Sequence, residues 1–257
     1  MNHRFFVGDN VDVLQKNRDL KFDLVLTSPG YNIAHRGFLS GGKSYQKHDD
    51  NIDSKEYIFS GIQLFNELQH HLSPNGVIIY NLSYGTIQPS LPFHLIAEIE
   101  KQTQFRNVDT ITWKKKTAFP LSSSSCHLTR ICELIFVFAH VDHLHDFYTN
   151  KKQTSQSKTG QKFYSSLFNF VEADNADREA RTESPTKATF SEDLVQKLLD
   201  MYAPKNCTVL DPFTGSGTTN AVCAKRDLKS FGIDIDKNCI DFAISRINEI
   251  LKHKKKT

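Results

Sequence analysis

No stretch of the chain approaches the ~20 consecutive apolar residues that a membrane-crossing helix needs, so no crossing segment is expected. The first ten residues, MNHRFFVGDN, hold no apolar run of the kind that drives secretion, and a cytoplasmic protein is expected. Cysteine is sparse and its spacing is uninformative. Cys126, Cys132, Cys207, Cys223 and Cys239 form no C-x-x-C pair and total an odd number, which fits reduced thiols rather than a disulfide framework. His140, His143, His145 and Asp146 crowd together, yet their spacing matches no closed zinc pattern, so no metal is expected. A strong charge of one sign is missing too. With 32 basic and 29 acidic residues the formal net charge is +3. Any nucleic-acid contact must therefore come from a local patch.

What is present is a 257-residue chain with 39% hydrophobic residues, enough for one large α/β domain with a small insertion. Its most informative stretch is CTVLDPFTGSGTT at 207–219. A short apolar strand runs there into a glycine-rich turn and then a helix. Gly215 and Gly217 permit positive φ and close backbone approach, and the helix start offers N–H donors. A triphosphate loop needs Lys after the second glycine, where Thr218 stands. A dinucleotide fingerprint needs a third glycine where Asn220 stands. The remaining reading is a nucleoside-bearing cofactor with a carboxylate-bearing arm. Asp234 and Asp236 lie about 20 residues further on, where such units place an acid for ribose hydroxyls. Asp234, at a strand end, is the candidate; Asp236 reads as a helix cap.

Hydrophobic patterning predicts strands over 4–8, 22–27, 77–80, 108–113, 133–139, 208–210 and 230–234. Helices are predicted over 11–16, from 54, over 91–101, 190–202, 216–225 and 236–251. Residues 73–76 (SPNG) read as a turn, and the strands at 108–113 and 133–139 as an antiparallel pair at one sheet edge. The alternation gives an α/β fold with a doubly wound, seven-stranded, mostly parallel sheet. Residues 140–185, polar and dotted with aromatics, read as an insertion between 1–139 and 186–257. Ligands of such sheets lie beyond the carboxyl ends of the strands, so Asp9, Ser28, Asn81, Asp211 and Asp234 should face one cleft.

The strand at 22–27 ends in Ser28-Pro29-Gly30-Tyr31. A polar side chain, a proline whose carbonyl has no strand partner and an aromatic ring make a compact pocket wall. A tight turn is the plainer reading. The functional one is a planar heterocycle carrying an exocyclic amine, with Tyr31 stacked on the ring and Ser28 and the Pro29 carbonyl accepting N–H bonds. Drawing the amine hydrogens out of the ring plane returns electron density to nitrogen for attack on an electrophilic methyl.

The residues TSPGYN at 27–32 and DPFTGSGTT at 211–219, in that order, resemble the amino-group DNA methyltransferases of the class whose catalytic motif precedes its cofactor motif. The family pattern is S/D/N-P-P-Y followed by D-P-F-x-G-S-G-T-T. FFVGDN at 5–10 resembles its opening G-D strand, and TKATFS at 186–191 its H-P-A-x-F-P segment, without the His and prolines. The resemblance covers nearly the whole chain except 140–185. It implies a circularly permuted class I methyltransferase fold with S-adenosyl-L-methionine as cofactor. Asp211, Pro212, Phe213, Gly215, Gly217 and Thr218 would bind it, with Asp234 on the ribose. Asp9 and Asn10 would lie near the adenine, Thr189, Phe190 and Ser191 near the methionine end, and Thr27 and Ser28 alongside. Ser28, Pro29, Gly30 and Tyr31 would carry catalysis, although Gly30 replaces the usual second proline.

The implied substrate is double-stranded DNA with the target base flipped out, at a cost of a few kcal/mol. Arg36, Lys43 and Lys47 in the first loop, Lys114 and Lys115, and Lys151 and Lys152 in the insertion are the candidate DNA contacts. Within the family, serine at position 28 points to cytosine N4; adenine N6 is the alternative. A non-catalytic DNA-binding relative is a third reading, which an intact glycine loop argues against. The implied partner is a cognate restriction endonuclease, and the implied state a monomer or homodimer.

Overall fold

The computed structural model describes residues 2–32, 52–85, 88–117, 126–177, 185 and 191–255. Its strands are β1 (His3–Val7), β2 (Phe22–Thr27), β3 (Leu72–Leu82), β4 (Phe105–Lys115), β5 (Cys132–His140), β6 (Gln153–Gln156), β7 (Lys162–Tyr164), β8 (Phe170–Ala173), β9 (Thr208–Asp211) and β10 (Lys229–Asp234). Its helices are α1 (Asn10–Lys16), α2 (Ser54–Leu68), α3 (Leu91–Gln102), α4 (Glu192–Tyr202), α5 (Thr218–Lys225) and α6 (Lys237–Lys254).

Local chemistry sets most boundaries. Asp9 caps α1 by accepting from the amides of Val11 and Asp12. Asp53, Ser191 and Asp236 do the same for α2, α4 and α6. The Asp236 side chain accepts from Asn238 N at 2.9 Å, the cap its sequence position suggested. α5 has no side-chain cap and starts behind Gly217, whose φ is +72°.

The main sheet has eight strands in the order β1-β10-β9-β2-β3-β5-β4-β8. β1, β10, β9, β2 and β3 pair in parallel; β5 runs antiparallel to both β3 and β4, and β8 is parallel to β4. The expectation of seven strands is thus corrected by one. FVEA at 170–173, too short and half-exposed to stand out by composition, leaves the insertion and joins the sheet beside β4. The antiparallel β4–β5 pair is present, but β8 and not β4 forms the edge. A separate hairpin, β6–β7, takes up the middle of the insertion. The turn expected over 73–76 lies inside β3 as an irregularity. Phe22 pairs with Leu72, and Leu24 with Val77. Gly76 is needed there because a Cβ would sit 2.7 Å from the Asp23 carbonyl oxygen.

Alternation along the buried strands feeds two cores. Leu24, Leu26, Val77 and Ile79 face Leu194 and Leu198 of α4 and Val222 of α5. Val25, Ile78 and Tyr80 face Phe65 and Leu68 of α2 and Leu95 and Ile99 of α3. Helices therefore cover both faces of the sheet. The connections turn opposite ways at one place: β9 leads through α5 to β10 on one side, and β2 leads through α2 to β3 on the other. Strands β9 and β2 are neighbours at this switch point, where open α/β sheets leave a crevice beyond the strand ends.

Candidate active site

The carboxyl ends of β9 and β2 are tied together directly. Thr27 Oγ1 donates to Asp211 Oδ1 at 2.7 Å, and Phe213 N donates to the same oxygen at 3.1 Å. Asp211 is 4% exposed. Burial raises its carboxyl pKa from 3.8 to about 6, against the opposing pull of the Thr27 hydrogen bond.

Beyond Asp211 the glycine loop closes against β10. Thr214 N donates to the Ile233 carbonyl at 3.0 Å. Gly215 N donates to Asp234 Oδ2 and Asp236 N to Asp234 Oδ1, both at 2.8 Å. The Asp234 carbonyl accepts from Gly8 N at 3.0 Å, which brings the end of β1 to the same place. Asn10 Nδ2 reaches the Pro212 carbonyl at 3.4 Å. Gly217 is required twice over. Its φ is in the left-handed region, and a Cβ would lie 2.6 Å from the Cβ of Ala243 on α6. A cavity opens beside this loop, lined by Ser28, Asp211, Phe213, Thr214, Ser216, Thr218 and Thr219.

The Ser-Pro turn lies across that cavity within a second, side-chain network. The Ser28 and Tyr31 hydroxyls are 2.7 Å apart. Tyr31 OH donates to Glu133 Oε2 at 3.0 Å. Asn81 Nδ2, at the end of β3, lies 2.5 Å from Tyr31 OH, 2.9 Å from Glu133 Oε2 and 3.3 Å from Ser28 Oγ. Lys115 Nζ pairs with Glu133 Oε1 at 2.5 Å. Tyr57 of α2 donates to the Gly30 carbonyl at 3.0 Å, bracing the turn where the second proline is missing. Burial first, then the Glu133 charge, raises the Tyr31 pKa well above its ordinary value, so the phenol keeps its proton.

Beneath the loop lies a third group. Arg246 of α6, 9% exposed, reaches the Ser216 carbonyl and Thr218 Oγ1, both at 3.3 Å, Glu192 Oε1 at 2.7 Å, and Asp177 Oδ2. Asp177 is itself buried and accepts from Thr218 Oγ1 at 3.0 Å. The distal end of the insertion is thereby fastened under the glycine loop.

Of the residues singled out from sequence, Ser28, Asp211, Phe213 and Thr218 line the cavity. Thr27, Gly215 and Gly217 shape it from behind, and Asp9, Asn10, Pro212 and Asp234 gather at its β1–β10 side. Pro29 and Gly30 lie between Thr27 and Tyr31 in the turn. Ser191 is fully buried and serves as the cap of α4. Thr189, Phe190, Arg36, Lys43 and Lys47 lie outside the described residues. The lysines at and just past the end of β4 all have intramolecular partners: Lys114 with Glu172, Lys115 with Glu133, Lys116 with Asp174 and Asp193. Lys151 and Lys152, at the foot of the β6–β7 hairpin, are exposed. Glu133, Lys115 as its partner, Tyr57 and Arg246 were not foreseen as site residues. The one available signal was an acid at the head of an otherwise apolar strand, ELIFVFA. Among the described residues no group of His, Cys, Asp or Glu is placed to hold a metal, and no helix is long and apolar enough to cross a membrane.

A doubly wound sheet whose switch point sets a glycine loop against a Ser-Pro turn defines a class of α/β proteins built around a nucleoside-type cleft. Residues 22–245 match the model of the DNA methylase family, the N6/N4 methyltransferases, and the chain belongs to that family. It is 24% identical to the type II methyltransferase M.HpaI of Haemophilus parainfluenzae, over 96% of this chain and 75% of that one. Among solved structures it is similar to the PvuII DNA methyltransferase, described as cytosine-N4-specific (TM-score 0.71, 14% identity, 98% of this chain and 91% of that one). It also resembles M1.HpyAVI in its complex with S-adenosylmethionine (TM-score 0.66, 19% identity, 96% and 99% of the two chains).

Proposed function

We propose that this protein methylates DNA at a specific site, transferring the methyl group of S-adenosylmethionine to the exocyclic N4 amine of a flipped-out cytosine within a restriction-modification system. The observation that carries the reading is the shared cavity. Ser28 of the catalytic turn lines it together with Asp211, Phe213, Thr214, Ser216 and Thr218 of the glycine loop.

The cofactor is S-adenosylmethionine, and the residues suit it. The Asp234 oxygens accept amides from Gly215 and Asp236, which fixes the carboxylate at the end of β10 beside the glycine loop, where an acid suits ribose hydroxyls. Bound there, the cofactor supplies an electrophilic sulfonium methyl. Gly215 and Gly217 give the loop its positive-φ turn, and Thr27 holds the loop's first acid to the catalytic strand. Ser28 Oγ and the Pro29 carbonyl accept the two amine hydrogens of the target base and draw electron density back onto its nitrogen. Tyr31 flanks the base.

The DNA-contacting surface is assigned to Lys151 and Lys152 and the exposed aromatics of the β6–β7 hairpin, Phe163 and Tyr164. Phosphate contacts from Arg36, Lys43 and Lys47 belong to the same reading, whereas Lys114 and Lys115 are committed to acids within the fold. The strand order, with the catalytic strand early in the chain and the cofactor strands late, fits a circular permutation of the family fold.

Sequencing of methylated bases in DNA from cells expressing the protein tests the whole proposal. N4-methylcytosine at one short motif is expected, and N6-methyladenine would shift the acceptor base. Titration of S-adenosylmethionine by calorimetry separates enzyme from DNA-binding relative: no heat at millimolar ligand would sink the enzyme reading.

A further inference from the structure

The network behind Ser28 contains more groups than the methyl-transfer reading uses. We propose that Glu133 is a positioning residue that sets the direction of the hydroxyl protons of Tyr31 and Ser28, so that Ser28 Oγ faces the target amine as an acceptor. This rests on the methyl-transfer reading of the same cavity.

The argument is an accounting of hydrogens. Ser28 and Tyr31 contribute one hydroxyl hydrogen each, and their oxygens are 2.7 Å apart. Two arrangements satisfy that contact. In one, Tyr31 donates to Ser28, and the Ser28 hydrogen is free to turn into the cavity. In the other, Ser28 donates to Tyr31, and Tyr31 donates onward. With one Ser28 lone pair facing Asn81 Nδ2 at 3.3 Å, only the second leaves the other lone pair clear for an amine hydrogen. The first puts hydrogen against hydrogen.

The choice is made by Glu133, 3.0 Å from the Tyr31 hydroxyl. A carboxylate can only accept, and a hydrogen bond to a charged oxygen is roughly twice as strong as one between neutral hydroxyls. Tyr31's single hydrogen therefore goes to Glu133, and Ser28 must supply the hydrogen of the 2.7 Å contact. The carboxylate is held for this task. Lys115 engages its other oxygen at 2.5 Å, and Asn81 Nδ2 donates to the same oxygen as Tyr31 at 2.9 Å. Asn81 Nδ2 also lies 2.5 Å from the Tyr31 oxygen, a contact that again casts that oxygen as acceptor. Facing these acceptors with its amide nitrogen leaves Asn81 Oδ1 buried and without a partner among the described residues. Glu133 itself does not line the cavity. Its effect reaches the amine through Tyr31 and Ser28.

A double-mutant cycle tests this, read by single-turnover methyl transfer and by dissociation constants for S-adenosylmethionine and DNA. Glu133→Gln brings hydrogens to the position and removes the charge. It is expected to slow transfer by roughly 10-fold while both dissociation constants stay within roughly 2-fold. Tyr31→Phe removes the relay, so adding Glu133→Gln to it should cause no further loss. Glu133→Asp, which keeps an acceptor-only group, should recover part of the rate. Wild-type rates in Glu133→Gln would overturn the inference. So would full additivity with Tyr31→Phe, or a Glu133→Asp rate as low as that of Glu133→Gln. A wild-type protein that binds the cofactor yet methylates no DNA defeats the underlying reading, and the inference with it.

Discussion

The glycine loop and the Ser-Pro turn face one cavity, yet they are held in different ways. The loop is held through its backbone amides, by two carboxylates and a carbonyl. Amides of Phe213, Thr214 and Gly215 find acceptors on Asp211, Ile233 and Asp234, all within one β-α-β unit. The turn is held by side chains from four strand ends: Ser28 and Tyr31 after β2, Asn81 on β3, Glu133 on β5 and Lys115 on β4. A cradle of backbone amides tolerates little change in shape and depends on few side chains, Asp211 and Asp234 among them. A side-chain network tolerates changes in shape but depends on where each proton sits. Damage to the loop should therefore appear as lost folding or lost affinity, and damage to the turn as lost rate.

The largest expected effect breaks the loop. Gly217→Ala puts a Cβ 2.6 Å from that of Ala243 at a φ of +72°, and should cost about 3 kcal/mol of stability, read from urea denaturation. Next, Tyr31→Ala should lower the single-turnover rate by about 100-fold with the cofactor dissociation constant preserved, because the loop does not depend on it. Unchanged turnover would remove Tyr31 from the mechanism.

Asp211 joins the two regions and sharpens the contrast through pH. Its pKa is raised on folding from 3.8 to about 6, so the folded state holds its proton more tightly than the unfolded state. Its contribution is therefore most favourable at low pH and is lost as pH rises through that interval, a change of about 3 kcal/mol. Asp211→Asn should flatten the wild-type slope there, as measured by urea midpoints across pH. The smallest effect is Asp234→Ala, which should weaken S-adenosylmethionine binding by about 10-fold, one hydrogen-bonded partner's worth, with the single-turnover rate at saturation little altered.

The same difference decides what could be read from the sequence. Residues 22–27 form the predicted strand without a shift of either end, and the glycine loop declared itself, because both depend on residue types a few positions apart. The turn's supporting network did not. Glu133 meets Tyr31 only because β5 pairs with β3 in a register that places Ile135 beside Asn81, and Lys115 meets it only through the β4–β5 pairing. Neither register is visible before the sheet is built. The partners of the basic run Lys114, Lys115 and Lys116 were hidden for the same reason. Its counter-charges, Glu172, Asp174 and Asp193, come from β8, the segment after it and α4, far along the chain. SPNG at 73–76 carried the marks of a turn, and the chain uses them for an irregularity within β3.

The pairing of β2 with β9 also has a consequence for how the protein is made. Thr27 and Asp211 are 184 positions apart. At a synthesis rate of 5–20 residues per second, β2 waits about 10–40 seconds for its neighbour. During that interval one flank of a wholly apolar strand, Leu24 to Leu26, has no ladder partner. An uncovered edge of that kind is a template for pairing with the wrong chain. The central seam of the active site is thus also a late seam to close, followed only by the seams of β10 with β9 and β1. Late pairing between distant segments slows folding. Crowding of unfinished chains, more than any instability of the finished fold, should set the yield of active protein.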